Sequence, residues 1–163
     1  MTNADPDDAA TRLYGLVRLI RPAHRRLARS VAAHLDGTGV GLGARAVLEL
    51  LHDNDPAGLS VPDVARRLFL ARQQIQLAMD GLERDGLVVR RSNPAHRRSP
   101  LFGLTQRGQD IFTAIHAREL EVLGGIAGGL ASADVAAALT VMQALVDGFG
   151  AYEDEPDAPA GLA

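Results

Sequence analysis

Apolar residues recur every three to four positions along the first long segment, from Ala9 to Leu35. This spacing predicts a helix with one buried stripe. Pro22 interrupts the segment, and we expect a kink or a fresh helix start there because proline removes a helical hydrogen bond and clashes one turn back. The stripe comprises Leu13, Val17, Ile20, Leu27, Val31 and Leu35.

Three shorter helices are predicted in the middle of the chain, at residues 44–52, 61–68 and 71–84. The glycine-rich "DGTGVGLG" before them is a loop signal, and the hydroxyl of Ser60 is suited to cap the second helix. Gly86 provides a typical left-handed end for the third. Their buried faces are predicted to comprise Val47, Leu48, Leu51, Ile75, Ala78, Met79 and Leu82.

Residues 87–105 predict a β-hairpin: an extended run to Arg91, a loop containing Pro94 and Pro100, and a returning strand "LFGLT". Four arginines fall within the nine residues "RRSNPAHRR", which comprise the end of the first strand and part of the loop. Two short helices followed by a hairpin indicate a winged helix-turn-helix. In that fold the second short helix enters the major groove of DNA and the hairpin contacts the flanking backbone or minor groove.

Two further helices are predicted after Thr105, one to about Leu123, broken by "GGIAGG", and one capped by Ser132. The fold class is therefore mainly α, a winged helix-turn-helix with a two-stranded β-wing and long N- and C-terminal helices. One domain is expected at 9–152, with its winged core at about 42–106, a flexible segment at 1–8 and a disordered acidic tail at 153–163. The last helix has a stripe of Val135, Leu139, Met142, Val146 and Phe149.

Composition narrows the class of protein. A chain of 163 residues with 47% hydrophobic content suits one domain with a real core. The absence of cysteine excludes disulfides and thiolate metal sites. The N-terminus is acidic where a secretory signal would be basic, and the longest near-apolar run, twelve residues from Val122 to Ala133, is too short to span a membrane. We expect a soluble cytoplasmic protein that does not associate with membranes.

Charge is distributed unevenly along the chain. Residues 60–108 hold nine arginines against four acidic residues, a net charge of +5, whereas the whole chain carries −3 and the remainder therefore −8. Such asymmetry favours one face that meets a polyanion, because clustered arginines neutralise phosphates and release their counterions. A merely solvated basic face is the competing interpretation.

Catalytic motifs do not stand out in the sequence. It shows neither G-x-S-x-G, a P-loop, a dinucleotide glycine pattern nor a metalloprotease helix, so we expect no enzyme and no cofactor. The five histidines form no H-x-x-x-H pair, which disfavours a metal site.

Four segments, "VPDVARRL", "RQQIQLAMDGLERDGLVVRR", "NPAHRRS" and "LTQRG", together resemble the MarR family of bacterial transcriptional regulators over roughly residues 13–150. The resemblance implies a homodimer joined by its terminal helices, at about 9–35 and 106–150, which binds a double-stranded pseudo-palindromic operator. It also implies a repressor that a small aromatic or phenolic ligand releases from DNA. The alternative is an architectural or protein-interaction winged-helix module that does not respond to a ligand.

The resemblance places base contacts on the third short helix and further DNA contacts on the wing. Chemistry agrees, since arginine reads guanine and glutamine reads adenine in the major groove. The family's wing usually has Asp-x-Arg where this chain has His96-Arg97-Arg98. Arg98 matches the minor-groove arginine without its usual acidic partner. The predicted DNA-binding residues are Arg72, Gln73, Gln76, Arg90, Arg91, His96, Arg97 and Arg98.

A candidate ligand site lies on the first helix near Pro22, where Arg18 and Arg21 could bind an anion. Such arginines more often form surface or interface ion pairs. His24 lies on the apolar stripe and has the competing interpretation of a core or interface histidine. The candidate ligand-binding residues are Tyr14, Arg18, Arg21 and His24.

Overall fold

The computed structural model describes residues 6–96 and 98–153, and within them it contains six helices and one two-stranded antiparallel sheet. This confirms the predicted mainly helical winged fold. The chain divides after Glu119 into two compact units, so that α5 continues from the first unit into the second. The elements are α1 (Pro6–Leu35), α2 (Leu42–Asp53), α3 (Val61–Leu68), α4 (Arg72–Arg84), β1 (Val88–Arg91), β2 (Leu101–Leu104), α5 (Gln106–Ala127) and α6 (Ser132–Glu153).

The core of the first unit forms where α2 and α4 pack against each other and against the hairpin. The predicted inward faces of α2 and α4 are confirmed, with Ala78 only partly buried. Large apolar side chains there interdigitate and exclude water, which is the main stabilising contribution to a small domain. The largest fully buried side chains of the described residues are Phe102, Leu48, Leu51, Ile75, Met79, Ile115, Val47 and Val64.

Ser60 caps the N-terminus of α3, as the sequence predicted. Its Oγ accepts a hydrogen bond from the backbone N–H of Asp63 at 3.4 Å and donates one to the Asp63 carboxylate. Pro62 lies in the first turn of α3, where the backbone N–H groups have no helical acceptor, and proline has no N–H to satisfy. The bond from Ser60 lowers the pKa of Asp63, although burial opposes this, and Arg66 at 2.8 Å lowers the pKa further.

The base of the wing is fixed by backbone contacts. Gly86 has a φ of +70°, which confirms the predicted left-handed helix end. The Thr105 hydroxyl donates to the Gly86 carbonyl at 2.7 Å and accepts from the Gly108 N–H at 3.0 Å, so it joins the hairpin to the start of α5. A Cβ at Gly108 would lie 2.0 Å from the Leu87 carbonyl oxygen, so only glycine fits at this crossing.

An isolated β-bridge extends the wing sheet toward α3. Leu59 and Phe102 exchange two backbone hydrogen bonds, of 3.0 and 2.8 Å. Gly58 precedes the bridge with a φ of +73°, and a Cβ there would lie 2.6 Å from the Phe102 carbonyl oxygen. This pairing was not predicted from the sequence.

Helix α1 differs from its prediction. It begins at Pro6 and continues through Pro22 without a fresh start. Pro22 and Arg18 are both exposed, so the Arg18 carbonyl that loses its helical partner can bond to water. The predicted flexible segment 1–8 is therefore helical from Pro6 onward. Residues 1–5 lie outside the described residues.

The predicted burial of the α1 stripe is confirmed only at its C-terminal end. Val31 and Leu35 are buried, whereas Leu13, Ile20 and Leu27 are 40%, 37% and 56% exposed. Within the described residues of the first unit, no element buries the N-terminal part of the stripe.

Helix α5 runs through Gly124 and Gly125 to Ala127, four residues beyond its predicted end. A helical glycine costs only about 1 kcal/mol relative to alanine, so these two residues do not stop the helix. Helix α6 runs from Ser132 to Glu153. Ser132 is its first helical residue and not the predicted cap, because the Ala131 carbonyl accepts the first helical hydrogen bond, from the Val135 N–H. The rest of the predicted acidic tail, from residue 154, lies outside the described residues.

The apolar stripe of α6 is exposed along its length, from Met142 at 39% to Leu139 at 67%. Residues Ser132–Ala151 are long and apolar enough to cross a membrane by length and composition, with a mean hydropathy of 1.2, and one such helix is weak evidence of a membrane span. The sequence analysis missed it because Asp134 and Asp147 interrupt the apolar run.

Replacing Ser60 with alanine should destabilise the first unit by about 1 kcal/mol, because the Asp63 N–H loses its side-chain acceptor and the Asp63 carboxylate loses a hydroxyl donor. The loss should shrink as the pH falls through 3.8, the ordinary pKa of Asp63, and below it. A carboxyl with a lowered folded pKa stabilises the fold above its unfolded pKa, and protonation removes that contribution from the wild type as well. Urea unfolding at several pH values measures both effects, and Ser60→Thr, which retains a hydroxyl, is the control. An equal loss at neutral and acid pH would contradict the coupling to Asp63.

Candidate nucleic-acid interface

A cleft of about 530 Å³ separates α4 from the wing. It brings together five of the eight predicted DNA-binding residues: Arg72, Gln73 and Gln76 from α4, Arg90 from β1, and Arg98 from the loop between the strands. The other lining residues are Val61, Pro62, Ser99, Pro100 and Phe102.

The polar face of α4 follows from its periodicity. Ile75, Met79 and Leu82 are buried in the core, which leaves Arg72, Gln73 and Gln76 on the exposed side. The Gln74 Oε1 accepts a bond from the Ala71 N–H at 3.3 Å and so satisfies one backbone donor at the start of the helix.

The arginines of the cleft differ in whether their side chains bind other residues of the protein. Arg72 and Arg98 are exposed and form no salt bridge with any residue in 6–96 or 98–153. Arg90 donates to Glu83 at 2.9 Å, lies 3.7 Å from Asp80, and stacks over the Phe102 ring with its Cζ 5.1 Å from the ring centre. Arg90 therefore ties the wing to α4, and its DNA contact stays a prediction.

Arg91 lies on the opposite face of β1 from Arg90, as neighbouring residues of a strand do. Its guanidinium donates to the Pro56 carbonyl at 2.8 Å. It also covers Gly103, where an added Cβ would lie 2.8 Å from the Arg91 Cζ. Arg91 does not line the cleft, and its predicted DNA contact is untested.

The wing loop is held together by Asn93. Its Oδ1 accepts from the backbone N–H groups of Ala95, at 3.1 Å, and His96, at 3.3 Å, and its Nδ2 donates to the Ser99 carbonyl at 2.8 Å. The His96 side chain is exposed, and Arg97 lies outside the described residues. The sequence analysis missed this brace, which the known tendency of asparagine to bond its neighbouring backbone could have indicated.

The candidate ligand residues of α1 are all exposed, and Tyr14 is 64% exposed. His24 is therefore not a core residue of the single chain, and that interpretation is wrong. The reason is that this part of the stripe has no covering element in the first unit. The alternative of an interface histidine stays open.

A second polar cluster connects α2 to the first half of α5. Arg45 binds the carboxylates of both Glu49 and Glu119, and the side chains of Arg45 and Glu119 are only 13% and 11% exposed. Burial disfavours the charge, but the bonds that Arg45 donates to the two carboxylates raise the pKa of Arg45. The sequence analysis missed the cluster because Arg45 and Glu119 are 74 residues apart.

Aromatic contacts continue this cluster. The His52 ring packs against Phe112 with centroids 4.6 Å apart, and its Nδ1 lies 3.1 Å from the Oε1 of Gln109. The His116 ring also stacks on Phe112, with centroids 5.6 Å apart. These contacts hold α2 against α5. In the described part of the chain, no three His, Asp or Glu side chains lie close enough together to bind a metal ion.

Known proteins resemble this chain in both sequence and fold. Residues 38–99 match the sequence model of the MarR family. The crystal structure of a MarR family transcription regulator is 34% identical, with a TM-score of 0.76, over 91% of this chain and 97% of that protein. CouR from Rhodococcus jostii RHA1, solved bound to p-coumaroyl-CoA, is 27% identical with a TM-score of 0.71, over 78% and 88%.

Other similarities are more limited. An uncharacterised protein of Mycobacterium tuberculosis is 40% identical over 74 residues, 45% of this chain and 52% of that protein, so the chain spans about half the length of the curated relatives it matches. S. aureus MepR, solved in complex with DNA, has a TM-score of 0.71 over 81% of this chain and 96% of its own, and at 17% identity it shows the fold alone.

Replacing Asn93 with alanine should open the wing loop, because two backbone donors and one acceptor lose their partner. Amide hydrogen exchange at Ala95 and His96, whose N–H groups donate to Asn93, should become about fivefold faster or more, since each lost bond contributes about 1 kcal/mol. Exchange in α4 should not change. Ser92→Ala, a change at the neighbouring exposed position, is the control. Unchanged exchange in the loop would show that Asn93 does not brace it.

Proposed function

The chain belongs to the MarR family of transcription regulators, and we propose that it binds double-stranded DNA sequence-specifically in the bacterial cytoplasm as a repressor. The observation that carries this proposal is the cleft, where three polar side chains of α4 face two arginines of the wing. Its relatives are transcription regulators and not enzymes, which confirms the expectation from the sequence. S. aureus MepR, which shares the fold, has been solved on DNA.

The two sides of the cleft are suited to different parts of a duplex. Arg72, Gln73 and Gln76 lie on the exposed face of α4 and would read base edges in the major groove. Arg98 would enter the flanking minor groove, where the negative potential attracts arginine. Arg90, Arg91, His96 and Arg97 would contact the backbone, and the charge of +5 on residues 60–108 favours the same face.

A small-molecule signal is the second part of the proposal. The relative CouR has been solved with p-coumaroyl-CoA, an aromatic and anionic ligand. Tyr14, Arg18 and Arg21 are exposed on α1 and provide an aromatic ring and two positive charges, with His24 one turn further along. We propose that these residues contribute to a site for a ligand of that chemical class, and that ligand binding releases DNA.

A homodimer is the third part. Leu13, Ile20 and Leu27 of α1 are exposed, as is the α6 stripe that includes Leu139, and large exposed apolar areas indicate an interface. A second copy that covered them would place two recognition helices about one helical turn of DNA apart, ~34 Å, and would require a pseudo-palindromic site.

Gln73→Ala should weaken binding to a selected DNA site by ~1–3 kcal/mol and leave binding to a scrambled duplex almost unchanged, because a base contact contributes only on the right sequence. Fluorescence anisotropy with both duplexes at one salt concentration measures the ratio. Arg98→Ala is the matched control, since loss of a backbone or minor-groove contact should weaken both duplexes alike and reduce the salt slope by about one. A wild type that binds both duplexes equally would indicate an architectural module, and no binding to either would indicate a protein-interaction module.

The dimer should be stable at micromolar concentration, and Leu139→Asp should convert it to a monomer, because a carboxylate would be buried at the interface. Sedimentation equilibrium measures both masses. Thr140→Asp, next along the same helix and exposed, is the control. A wild type that sediments as a monomer would contradict the proposed interface, and recovery only with membranes would support the alternative suggested by the hydropathy of α6.

A further inference from the structure

Gln76 is not a free side chain in the cleft. Its Nε2 donates a hydrogen bond of 2.8 Å to the Oδ1 of Asp80, one helical turn further along α4. A carboxylate only accepts hydrogen bonds, so the Gln76 amide must turn its NH₂ group, and not its carbonyl, toward Asp80. The contact therefore fixes the orientation of the amide.

This orientation limits what Gln76 can offer to DNA. One N–H and the whole Oε1 acceptor remain, which is the pair of groups that reads the N7 acceptor and the N6 donor of adenine. Without Asp80 the two orientations of the amide, related by exchange of Oε1 and Nε2, would have similar energies.

Asp80 in turn forms an ion pair with a residue of the wing. The Arg90 Nη2 lies 3.7 Å from the Asp80 carboxylate and 2.9 Å from that of Glu83, while the guanidinium stacks on Phe102. Side chains of Asp80 and Arg90 are both about half exposed, so the pair stabilises the fold little and mainly restricts geometry.

The same spacing occurs elsewhere without these additions. Gln106 donates to Asp110 at 2.9 Å and Gln143 to Asp147 at 2.8 Å, both on exposed helix surfaces. A Gln–Asp pair is thus a common local contact in this chain. Among the three pairs found in residues 6–96 and 98–153, only the one at Gln76 has its glutamine in the cleft and its carboxylate next to a wing arginine.

We propose that Asp80 is a positioning residue for sequence recognition: held by Arg90 of the wing, it orients the Gln76 amide so that Gln76 selects adenine. This inference rests on the proposed DNA-binding function. Asp80 acts through Gln76 and need not touch DNA.

Asp80→Asn tests the proposal, because asparagine has the same shape but can donate as well as accept and so no longer fixes the amide. Affinity is measured for the selected site and for its three single-base variants at the pair that Gln76 reads, located as the position whose preference Gln76→Ala abolishes. The preference for adenine there should fall about fivefold or more in Asp80→Asn. Affinity for scrambled DNA should rise, since one negative charge near the phosphates is removed.

Three further variants separate positioning from simple loss of structure or charge. Asp80→Glu retains a carboxylate acceptor and should recover part of the preference. Glu83→Gln removes the other partner of Arg90 without touching Gln76 and should retain more of the preference than Asp80→Asn. Asp110→Asn removes a matched Gln–Asp pair away from the cleft and should leave the preference unchanged. Thermal unfolding of each variant, followed by circular dichroism, confirms that it is folded.

Combination with Gln76→Ala gives the decisive result. In that background Asp80→Asn should no longer change the preference at the tested pair, because the residue it positions is absent. A preference that Asp80→Asn leaves intact in an otherwise specific protein would overturn the inference alone. An equal effect of Asp80→Asn with and without Gln76 would also overturn it. A wild type that shows no specificity on any duplex would contradict the proposed function, and with it this inference.

Discussion

The cleft depends on how Phe102 attaches the wing to the helix-turn-helix. The Phe102 backbone pairs with Leu59 on one side and with Arg90 on the other, while its ring is 1% exposed and lies under the Arg90 guanidinium. Burial of one such aromatic ring contributes roughly 1.5–3 kcal/mol. Because the same residue supplies backbone pairing, core packing and a platform for a charged group, the wing stands at a defined distance from α4, and that distance makes the cleft.

Local signals in the sequence predicted local structure well. Ser60 starts α3, Gly86 ends the turn after α4, and the inward face of α4 is the one its spacing indicated. Each of these features depends on residues within one or two helical turns, where the physical cause and the sequence signal coincide. The fold class followed from them.

Contacts between distant residues were not predictable in the same way. The Leu59–Phe102 bridge and the Arg45–Glu119 pair join segments that only the folded core brings together. The spacing of an apolar stripe also does not state which molecule covers it, so the exposed part of α1 was expected to be buried. In the candidate site, the sequence indicated DNA contacts from α4 and from the wing, but not that Gln76 and Arg98 would line one cleft. It also did not indicate that Arg90 and Arg91 would bind other parts of the protein.

Gly108 gives the wing a particular mechanical property. The Leu87 carbonyl lies so close to its Cα that no side chain fits between β1 and α5. Contacts between side chains can shift by changes of rotamer, whereas two backbones in contact have no such freedom. The joint between the hairpin and the helix that follows it is therefore stiff, and a change of angle at this joint would require the backbone itself to rearrange. A signal that moves the start of α5 would carry the wing with it.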